Sequence, residues 1–252
     1  MTYKNITIEK DEAVCLIQIN RPQARNAVDG ETAAELAEAF RQFEADANLH
    51  VAILGGLGDN FCAGADLKSM SNEVKEEGDG PMGPTRMLLS KPVIAAVSGY
   101  AVAGGLELAV WCDLRVVEET AVFGVFCRRW GVPLIDGGTI RLPRLIGHSR
   151  AMDLILTGRP VEANEALAIG LANRVVAKGK AMDEALALAK QIAAFPQICM
   201  REDRLSAYEQ WGMSLDGALN NEYKHGLDVI KSGEPISGAK TFSDGEGRHG
   251  RF

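Results

Sequence analysis

The sequence predicts an α/β protein whose C-terminal part is helical. Short apolar runs alternate with amphipathic helical patterns along most of the chain, which is typical of an α/β core. From Ala181 to about Lys231 the pattern is helical only, with a turn around Phe195-Pro196. We therefore expect a core over residues 1–195 and a helical C-terminal region with a polar tail over residues 196–252.

Length, composition and charge limit the classes of function. The 252 residues suffice for one substantial core, and 46% hydrophobic with 24% charged residues is usual for a soluble domain. A net charge of −7 without a run of Lys or Arg argues against a nucleic-acid partner. The N-terminus lacks an apolar signal core and no apolar stretch is long enough to span a bilayer, so we expect no membrane partner.

The cysteines and histidines predict neither disulfides nor a metal site. The five cysteines are an odd number and include no CxxC pair, which favours reduced thiols and a cytoplasmic location. The four histidines are far apart, and none has the spacing of a metal ligand pair. We therefore expect no metal.

The N-terminal part of the chain predicts a hairpin followed by a helix. Residues 6–8 and 14–19 are apolar or alternate, with a turn between them at residues 10–12. After a loop over residues 21–27, Asp29 has the position and chemistry of an N-cap for an amphipathic helix.

Two strands of the predicted core run into glycine turns. Residues 51–54 form a short buried strand that leads to a turn at Gly64 and then, we expect, to a helix. Residues 92–97 form a second buried strand that leads through Gly104 into an apolar helix. Between the two turns, the polar residues 71–86 predict a surface loop or a loose helix.

The later part of the core predicts short helices. One helix begins at Gly137 and is interrupted near Pro143, and Ser149 caps the next helix over residues 151–156. The tail over residues 237–252 is polar and glycine-rich, so we expect it to be extended.

The turn at Gly104 is the candidate centre of chemistry. A strand, a glycine turn and a helix N-terminus leave backbone N–H groups without partners, and such groups can stabilise an anion. Glu107 lies in the first turn of the helix, so an acid or base would stand beside that position. Two interpretations stay open: a catalytic arrangement, or a tight packing turn whose glutamate only favours the helix dipole.

Two longer segments carry a resemblance to a known family: Phe61-Cys62-Ala63-Gly64-Ala65-Asp66-Leu67 and Lys91-Pro92-Val93-Ile94-Ala95-Ala96-Val97-Ser98-Gly99-Tyr100-Ala101-Val102-Ala103-Gly104-Gly105-Leu106-Glu107-Leu108. Shorter matches keep the same order along the chain: Asn20-Arg21-Pro22, Asp113, Gly131, Gly137-Gly138-Thr139, Arg141-Leu142-Pro143 and Leu156-Thr157-Gly158. Together they resemble the enoyl-CoA hydratase/isomerase (crotonase) superfamily. The resemblance implies a crotonase-like spiral of ββα units, a helical C-terminal trimerisation region and a homotrimer or homohexamer. It also implies a coenzyme A thioester as substrate, with no other cofactor.

The resemblance also implies roles for individual residues. The family's oxyanion hole, formed by two backbone N–H groups, corresponds to Ala65 and Gly104. The residues that would border the CoA thioester are Ala24, Arg25, Ala63, Ala65, Asp66, Leu67, Lys68, Gly104 and Cys127. Arg25 and Lys68 could meet phosphates or could be ordinary solvated charges, and Asp66 could equally cap the helix expected after it.

The chain departs from the family's hydratases at one catalytic position. Glu107 matches the first of their two glutamates, but Cys127 stands where the second would be. A thiol with a reference pKa of about 8.5 is mostly protonated at neutral pH and accepts hydrogen bonds weakly. Cys127 could be a small buried hydrophobe, a thiolate activated by Arg128 or Arg129, or a residue that widens the acyl pocket.

Asp136 is the candidate substitute for the missing carboxylate, with a helix cap as the alternative interpretation. The resemblance favours an acyl-CoA-processing enzyme that adds water to a trans-2-enoyl-CoA, with Glu107 as acid and base. A one-carboxylate reaction of the family (isomerisation, decarboxylation or thioester hydrolysis) and a CoA-thioester-binding protein with little turnover are the alternatives.

Overall fold

The structure is a computed structural model that describes residues 3–245. It divides into two compact units, Met1–Lys190 and Gln191–Phe252. The division predicted from the sequence, between residues 195 and 196, stays a prediction. No helix among residues 3–245 is long and apolar enough to cross a membrane.

A six-stranded sheet forms the centre of the first unit. Its order is β1 (Ile6–Asp11), β2 (Val14–Ile19), β3 (Val51–Gly56), β4 (Val93–Val97), β6 (Leu114–Glu118) and β9 (Arg174–Val176). β1 and β2 form the predicted antiparallel hairpin, and every later neighbour is parallel. All five residues of β4 are buried, as the continuous apolar run predicts for a central parallel strand.

A second sheet carries the turns that build the site. It contains β5 (Tyr100–Val102), β7 (Val122–Gly124) and β8 (Val161–Glu162) in the order β5-β7-β8. The chain passes from β4 in the first sheet to β5 in the second, and again from β6 to β7. This repeated passage confirms the predicted spiral of strand pairs and helices.

Nine α-helices are described. Five belong to the first unit: α1 (Gly30–Ala45), α2 (Gly104–Trp111), α3 (Gly138–Ile146), α4 (His148–Thr157) and α5 (Ala163–Ala168). The others are α6 (Ala181–Ala193), α7 (Gln197–Glu209), α8 (Leu215–Ser232) and α9 (Glu234–Ser243), so the helical C-terminal region is confirmed. The predicted N-cap of α1 is also confirmed, because the Asp29 carboxylate accepts the Thr32 N–H at 2.9 Å.

Two expectations about α3 and α4 are wrong. α3 runs through Pro143, since the ring removes only one helix hydrogen bond and Leu142 and Ile146 remain buried on one face. Ser149 does not cap α4, because the helix already begins at His148. Gly147, with φ of +81°, closes α3 by donating to the Pro143 carbonyl and opens α4 by accepting from Ala151.

Two expectations about loops are also wrong. No helix follows the turn at Gly64, because the Asp66 carboxylate accepts the N–H groups of Lys68 and Ser69 and closes a turn. The tail is helical from Glu234 to Ser243, and the Glu234 carboxylate accepts two N–H groups of α7. The rest of the expected extended tail, residues 246–252, lies outside the described residues.

Candidate active site

The two glycine turns lie against each other. The Cys62 N–H donates to the Tyr100 carbonyl at 2.9 Å, and the Val102 N–H donates back to the Cys62 carbonyl at 3.1 Å. A β-carbon built on Gly64 would lie 3.1 Å from the Gly104 nitrogen. Because nothing larger than hydrogen fits at Gly64, the backbones of the two turns can approach this closely.

The backbone N–H groups of Ala65 and Gly104 have no hydrogen-bond partner among residues 3–245. The N–H groups of Asp66 and Ala103 are paired, since the Asp66 N–H donates to the Val28 carbonyl and the Ala103 N–H to the Gly124 carbonyl. Both residues line the same cavity. The site therefore presents two free donors that can stabilise an oxygen atom on which negative charge develops.

Ala103 holds the second donor in place at a conformational cost. Its φ and ψ are +55° and −125°, which a residue with a β-carbon rarely adopts. Gly104 follows directly as the first residue of α2, so this conformation decides where its N–H points. Strain of this kind persists where the surrounding structure enforces it, and it occurs frequently in active sites.

Glu107 is the acidic group of the site. It lies one turn after Gly104 in α2, so the two share a helix face. Its Oε1 accepts the N–H of Gly138 at 2.8 Å and the N–H of Asp136 at 2.9 Å. The side chain also lines the cavity, and Oε2 has no hydrogen-bond partner among the described residues. One oxygen is thus fixed by backbone donors while the other is available to a ligand.

The environment of Glu107 raises the pKa of its carboxyl to about 7. Burial is the largest cause, because only 2% of the residue is exposed and a charge is poorly solvated there. The negative charge of Asp136 acts in the same direction, whereas the Gly138 and Asp136 N–H groups and the charge of Arg141 oppose it. A carboxyl with a pKa near neutrality can both take and return a proton.

A cavity of about 740 Å³ contains these groups. Among the described residues that line it, the polar side-chain groups are those of Asn72, Glu107 and Cys127 and the indole N–H of Trp130, and Glu107 is the one carboxyl. The NH2 group of Asn72 is already used, since it donates to the carbonyls of Val28 and Pro81, which leaves the amide oxygen as an acceptor. A ligand therefore meets one carboxyl, two backbone donors and a few neutral polar side-chain groups in an otherwise apolar cavity.

Cys127 lies in the cavity wall as a buried thiol. It is 5% exposed and belongs to the short 3₁₀ helix Phe126–Trp130. Burial and the charge of Glu107 raise the pKa of the thiol. The charge of Arg128 opposes this shift but does not reverse it. The Arg128 guanidinium donates to the Ile155 carbonyl, and the Arg129 guanidinium donates to the Gly158 carbonyl and stacks on Phe126. This placement fits a small buried hydrophobe.

Asp136 is buried but is not among the cavity-lining residues. Its Oδ1 accepts the Met82 N–H at 3.0 Å and the Thr85 hydroxyl. Arg141 joins this network by donating to the carbonyls of Asp136 and Thr85. The helix-cap interpretation of Asp136 is wrong, since α3 is preceded by Gly137 and has no side-chain cap.

Comparison with known proteins places this fold and these turns in a family. Residues 9–223 match the enoyl-CoA hydratase/isomerase family. The chain belongs to the enoyl-CoA hydratase/isomerase family. It is 37% identical over 229 residues to the crotonyl-CoA hydratase of Syntrophomonas wolfei, covering 88% of each chain. It is 43% identical over 199 residues to a probable enoyl-CoA hydratase of Rhizobium meliloti, covering 77% of each.

Solved structures agree with the family membership. An enoyl-CoA hydratase from Mycobacterium tuberculosis superposes with a TM-score of 0.91 at 37% identity, covering 95% of this chain and 96% of that one. The enoyl-CoA hydratase EchA1 from Mycobacterium marinum superposes with a TM-score of 0.90 at 36% identity, again covering 95% of this chain and 96% of that one. The crotonase-type fold predicted from the sequence is confirmed, and the chain is an enzyme of the enoyl-CoA hydratase type.

The residues that the family resemblance assigns to coenzyme A lie near the first turn. The Ala63 N–H donates to the Arg25 carbonyl at 3.1 Å, which joins the segment of Ala24 and Arg25 to this turn. Arg25 and Lys68 are exposed, and Leu67 lines the cavity. The Asp66 carboxylate is paired with the Arg21 guanidinium at 3.0 Å as well as with the turn that it caps.

Sequence reasoning missed the residues around Asp136. Met82 and Thr85 belong to the segment that the sequence describes only as polar, yet both are buried. A β-carbon on Gly104 would lie 2.7 Å from the Met82 sulfur, so Met82 also packs against the second turn. No local signal identifies these contacts, because they join positions about 20 to 50 residues apart. Among the described residues, no group of three His, Cys, Asp or Glu could hold a metal ion.

Proposed function

We propose that this protein adds water across the double bond of a trans-2-enoyl-CoA, with Glu107 as the single carboxyl that handles the protons. The observation that carries the proposal is the position of Glu107, which lines an apolar cavity beside two unpartnered backbone donors. Relatives named crotonyl-CoA hydratase and short-chain-enoyl-CoA hydratase support an acyl-CoA thioester as the substrate.

The Ala65 and Gly104 N–H groups receive the thioester oxygen. Addition of water to C3 moves electrons from the C2–C3 double bond towards this oxygen and gives an enolate. Both donors interact more strongly with the enolate oxygen than with the neutral carbonyl, so they lower the barrier. The loss of one such donor typically raises a barrier by about 2.7–4 kcal/mol.

Glu107 acts first as a base and then as an acid. Its ionised carboxylate takes one proton from the attacking water while the oxygen forms the bond to C3. The protonated carboxyl then gives a proton to C2, which restores the thioester carbonyl and the carboxylate. The overall change adds one water and regenerates the enzyme, so no second carboxyl and no cofactor are required.

Asp136 positions Glu107 in this proposal and does not itself transfer protons. Its carboxylate is engaged by Met82 and Thr85, and its own backbone N–H donates to Glu107. Ala24, Arg25, Ala63, Asp66, Leu67 and Lys68 border the CoA moiety, with Arg25 and Lys68 near its phosphates.

The enzyme works as a homotrimer or homohexamer in the cytoplasm. Large apolar side chains on α8 and α9 are more than half exposed in the single chain, which supports a contact with further copies: Leu215, Leu219, Tyr223, Ile230, Ile236 and Phe242. The five cysteines are free, which supports a reducing compartment.

Isomerisation of a 3-enoyl-CoA is the second candidate. The single carboxyl in the cavity lining favours it, because moving a double bond requires only that one group take a proton from C2 and return it to C4. Hydration requires, in addition, that the cavity admit a water molecule beside Glu107.

Product analysis with two substrates separates these reactions. We expect wild-type protein to convert a trans-2-enoyl-CoA to its 3-hydroxy product, with loss of the conjugated-enoyl absorbance. A gain of that absorbance from a 3-enoyl-CoA, without hydration, would assign the isomerase reaction instead. Binding of both thioesters without turnover of either would indicate a binding protein and would exclude both reactions.

A further inference from the structure

Exposed apolar side chains line part of the active-site cavity. Besides Leu67, which we assign to the CoA moiety, four of its lining residues are large hydrophobic side chains that are 39–73% exposed: Met70, Val74, Trp130 and Ile135. We call these four residues the apolar rim. Large apolar groups exposed together at the opening of a pocket typically mark a surface that a ligand or partner covers.

A path connects the reacting centre to this rim. Cys127 and Trp130 are three residues apart in a 3₁₀ helix, and side chains at this spacing lie on one face. Cys127 is buried near the charge of Glu107, whereas Trp130 is 72% exposed. A chain that starts at the carbons beside Glu107 therefore passes the thiol first and then the indole.

Beyond the reacting centre, the described residues that line the cavity offer a ligand neutral polar side-chain groups but no charged one. These are the Trp130 indole N–H, the weakly hydrogen-bonding Cys127 thiol, and the oxygen of the Asn72 amide, whose NH2 group already donates to two backbone carbonyls. The ring of Phe126 is covered by Arg129, whose guanidinium stacks at 4.0 Å and also donates to a carbonyl. A carboxylate on the far end of an acyl chain would lose its water without gaining a charged partner.

From these observations we infer that the enzyme selects acyl-CoA thioesters with extended, purely apolar acyl chains, longer than four carbons, that lie across the apolar rim. This inference rests on the proposed function for the location of the thioester. A four-carbon chain would end near Cys127 and leave the rim exposed. Each further methylene removes apolar surface of the chain and of the rim from water.

Binding of saturated acyl-CoA thioesters tests the inference separately from catalysis, because these compounds cannot be hydrated. Butyryl-, hexanoyl-, octanoyl- and decanoyl-CoA are titrated by calorimetry into the full-length protein. A half-buried methylene tightens binding by about twofold, so we expect decanoyl-CoA to bind about 50-fold more tightly than butyryl-CoA. Adipoyl-CoA, which ends in a carboxylate, should bind at least about tenfold more weakly than hexanoyl-CoA.

Two rim variants and one control locate the effect. Trp130→Ala and Val74→Ser should reduce the advantage of decanoyl-CoA by about fivefold or more and leave the affinity for butyryl-CoA nearly unchanged. Trp211→Ala, a half-exposed tryptophan outside the cavity, should change neither affinity.

Three results would overturn the inference. Equal affinities for butyryl- and decanoyl-CoA would show that no chain lies on the rim. A dependence on chain length that survives both rim variants would place the chain elsewhere. A change of oligomeric state in Trp130→Ala without a change in chain-length dependence would assign the rim to a second copy of the chain. Failure to bind any acyl-CoA would instead contradict the proposed function.

Discussion

Oε1 of Glu107 lies 2.8 Å from the backbone nitrogen of Gly138, which belongs to the first turn of a different helix. A β-carbon at residue 138 would lie 2.9 Å from this oxygen, so only glycine permits the approach. The hydrogen bond joins α2 to α3 and fixes one carboxyl oxygen, which leaves the other oxygen to the substrate. The proposed chemistry depends on these different roles of the two oxygens.

The contact between the glycine turns predicts a strong effect of Gly64→Ala. A β-carbon there would meet the Ala103 β-carbon at 2.9 Å and the Gly104 nitrogen at 3.1 Å, so it would displace the second donor. We expect kcat to fall by about 10²–10³-fold, the loss typical of one oxyanion donor. Steady-state kinetics with a trans-2-enoyl-CoA measures the change.

Gly58→Ala is the matched control for that variant. Gly58 also has a positive φ, +80° against +98° at Gly64, but its nearest neighbour for a β-carbon is Pro22 at 3.4 Å. A β-carbon strains the backbone in both variants, but only in Gly64→Ala does it also collide with neighbouring atoms. Equal losses of kcat in the two variants would show that strain, not the position of the Gly104 donor, causes the effect.

The pKa of Glu107 predicts how turnover depends on pH. The base form is the ionised carboxylate, and the folded protein holds the pKa at about 7. The hydration rate should therefore rise as the pH increases through about 7 and reach a plateau above it. A pH profile of kcat/KM, which reports the free enzyme, measures this, and a flat profile between about pH 6 and 8 would contradict the assignment of Glu107 as the base.

The raised pKa of Glu107 also affects stability, and this effect has the opposite pH dependence: turnover rises with pH, whereas the stabilisation falls. The folded protein binds the proton of Glu107 more tightly than the unfolded chain, in which the pKa of this carboxyl has its ordinary value of 4.5. Folding is therefore favoured by this group below about pH 4.5, and the contribution is lost as the pH rises to about 7. Compared with Glu107→Gln, the wild-type free energy of unfolding should fall over this range, which denaturant titrations at several pH values measure. A constant difference between the two proteins would mean that burial does not raise this pKa.

Asp136→Asn tests whether Asp136 positions Glu107 or transfers protons. The amide oxygen of the introduced asparagine can still accept from Met82 and Thr85, but the negative charge beside Glu107 is removed, while Arg141 remains. The other charged or titratable groups near the pair, Arg86 and the Cys127 thiol, are also unchanged. We expect kcat on the plateau to change by less than about tenfold. The midpoint of the pH profile should move down by about 0.5–1 unit.

The control for that variant is Asp79→Asn, an exposed carboxylate paired with Arg41. It should leave both the plateau and the midpoint of the profile unchanged. A loss of about 10²-fold or more in Asp136→Asn at every pH, with the fold intact, would assign proton transfer to Asp136.

The sequence predicts the elements that local patterns define. The hairpin, the capped start of α1, the buried strand β4 and the position of Glu107 in the first turn of α2 all follow from apolar periodicity, an N-cap residue and glycine turns. The assignment of the two donors to Ala65 and Gly104 comes from the family resemblance and stays a prediction.

The sequence does not predict what depends on distant contacts. Pro143 suggests a break, but burial of one face keeps α3 continuous. The glycine-rich composition of the tail predicts an extended segment, although α9 forms there and its start is set by Gly233 and Pro235. Likewise, Asp136 has the position of a cap beside Gly137, although its carboxylate is bound by residues some fifty positions earlier. In each case tertiary packing decides between alternatives that local propensity leaves open.

The central claim, that one carboxyl carries the reaction, is tested most directly by the hydration rate of a trans-2-enoyl-CoA in wild type, Glu107→Gln and Cys127→Ala. We expect Glu107→Gln to lose about 10²–10⁴-fold in kcat and still to bind substrate. The glutamine oxygen can accept hydrogen bonds from the Gly138 and Asp136 N–H groups, but the amide cannot take a proton. Cys127→Ala should retain the wild-type kcat. Substantial hydration by Glu107→Gln, or its abolition in a folded Cys127→Ala, would contradict the account.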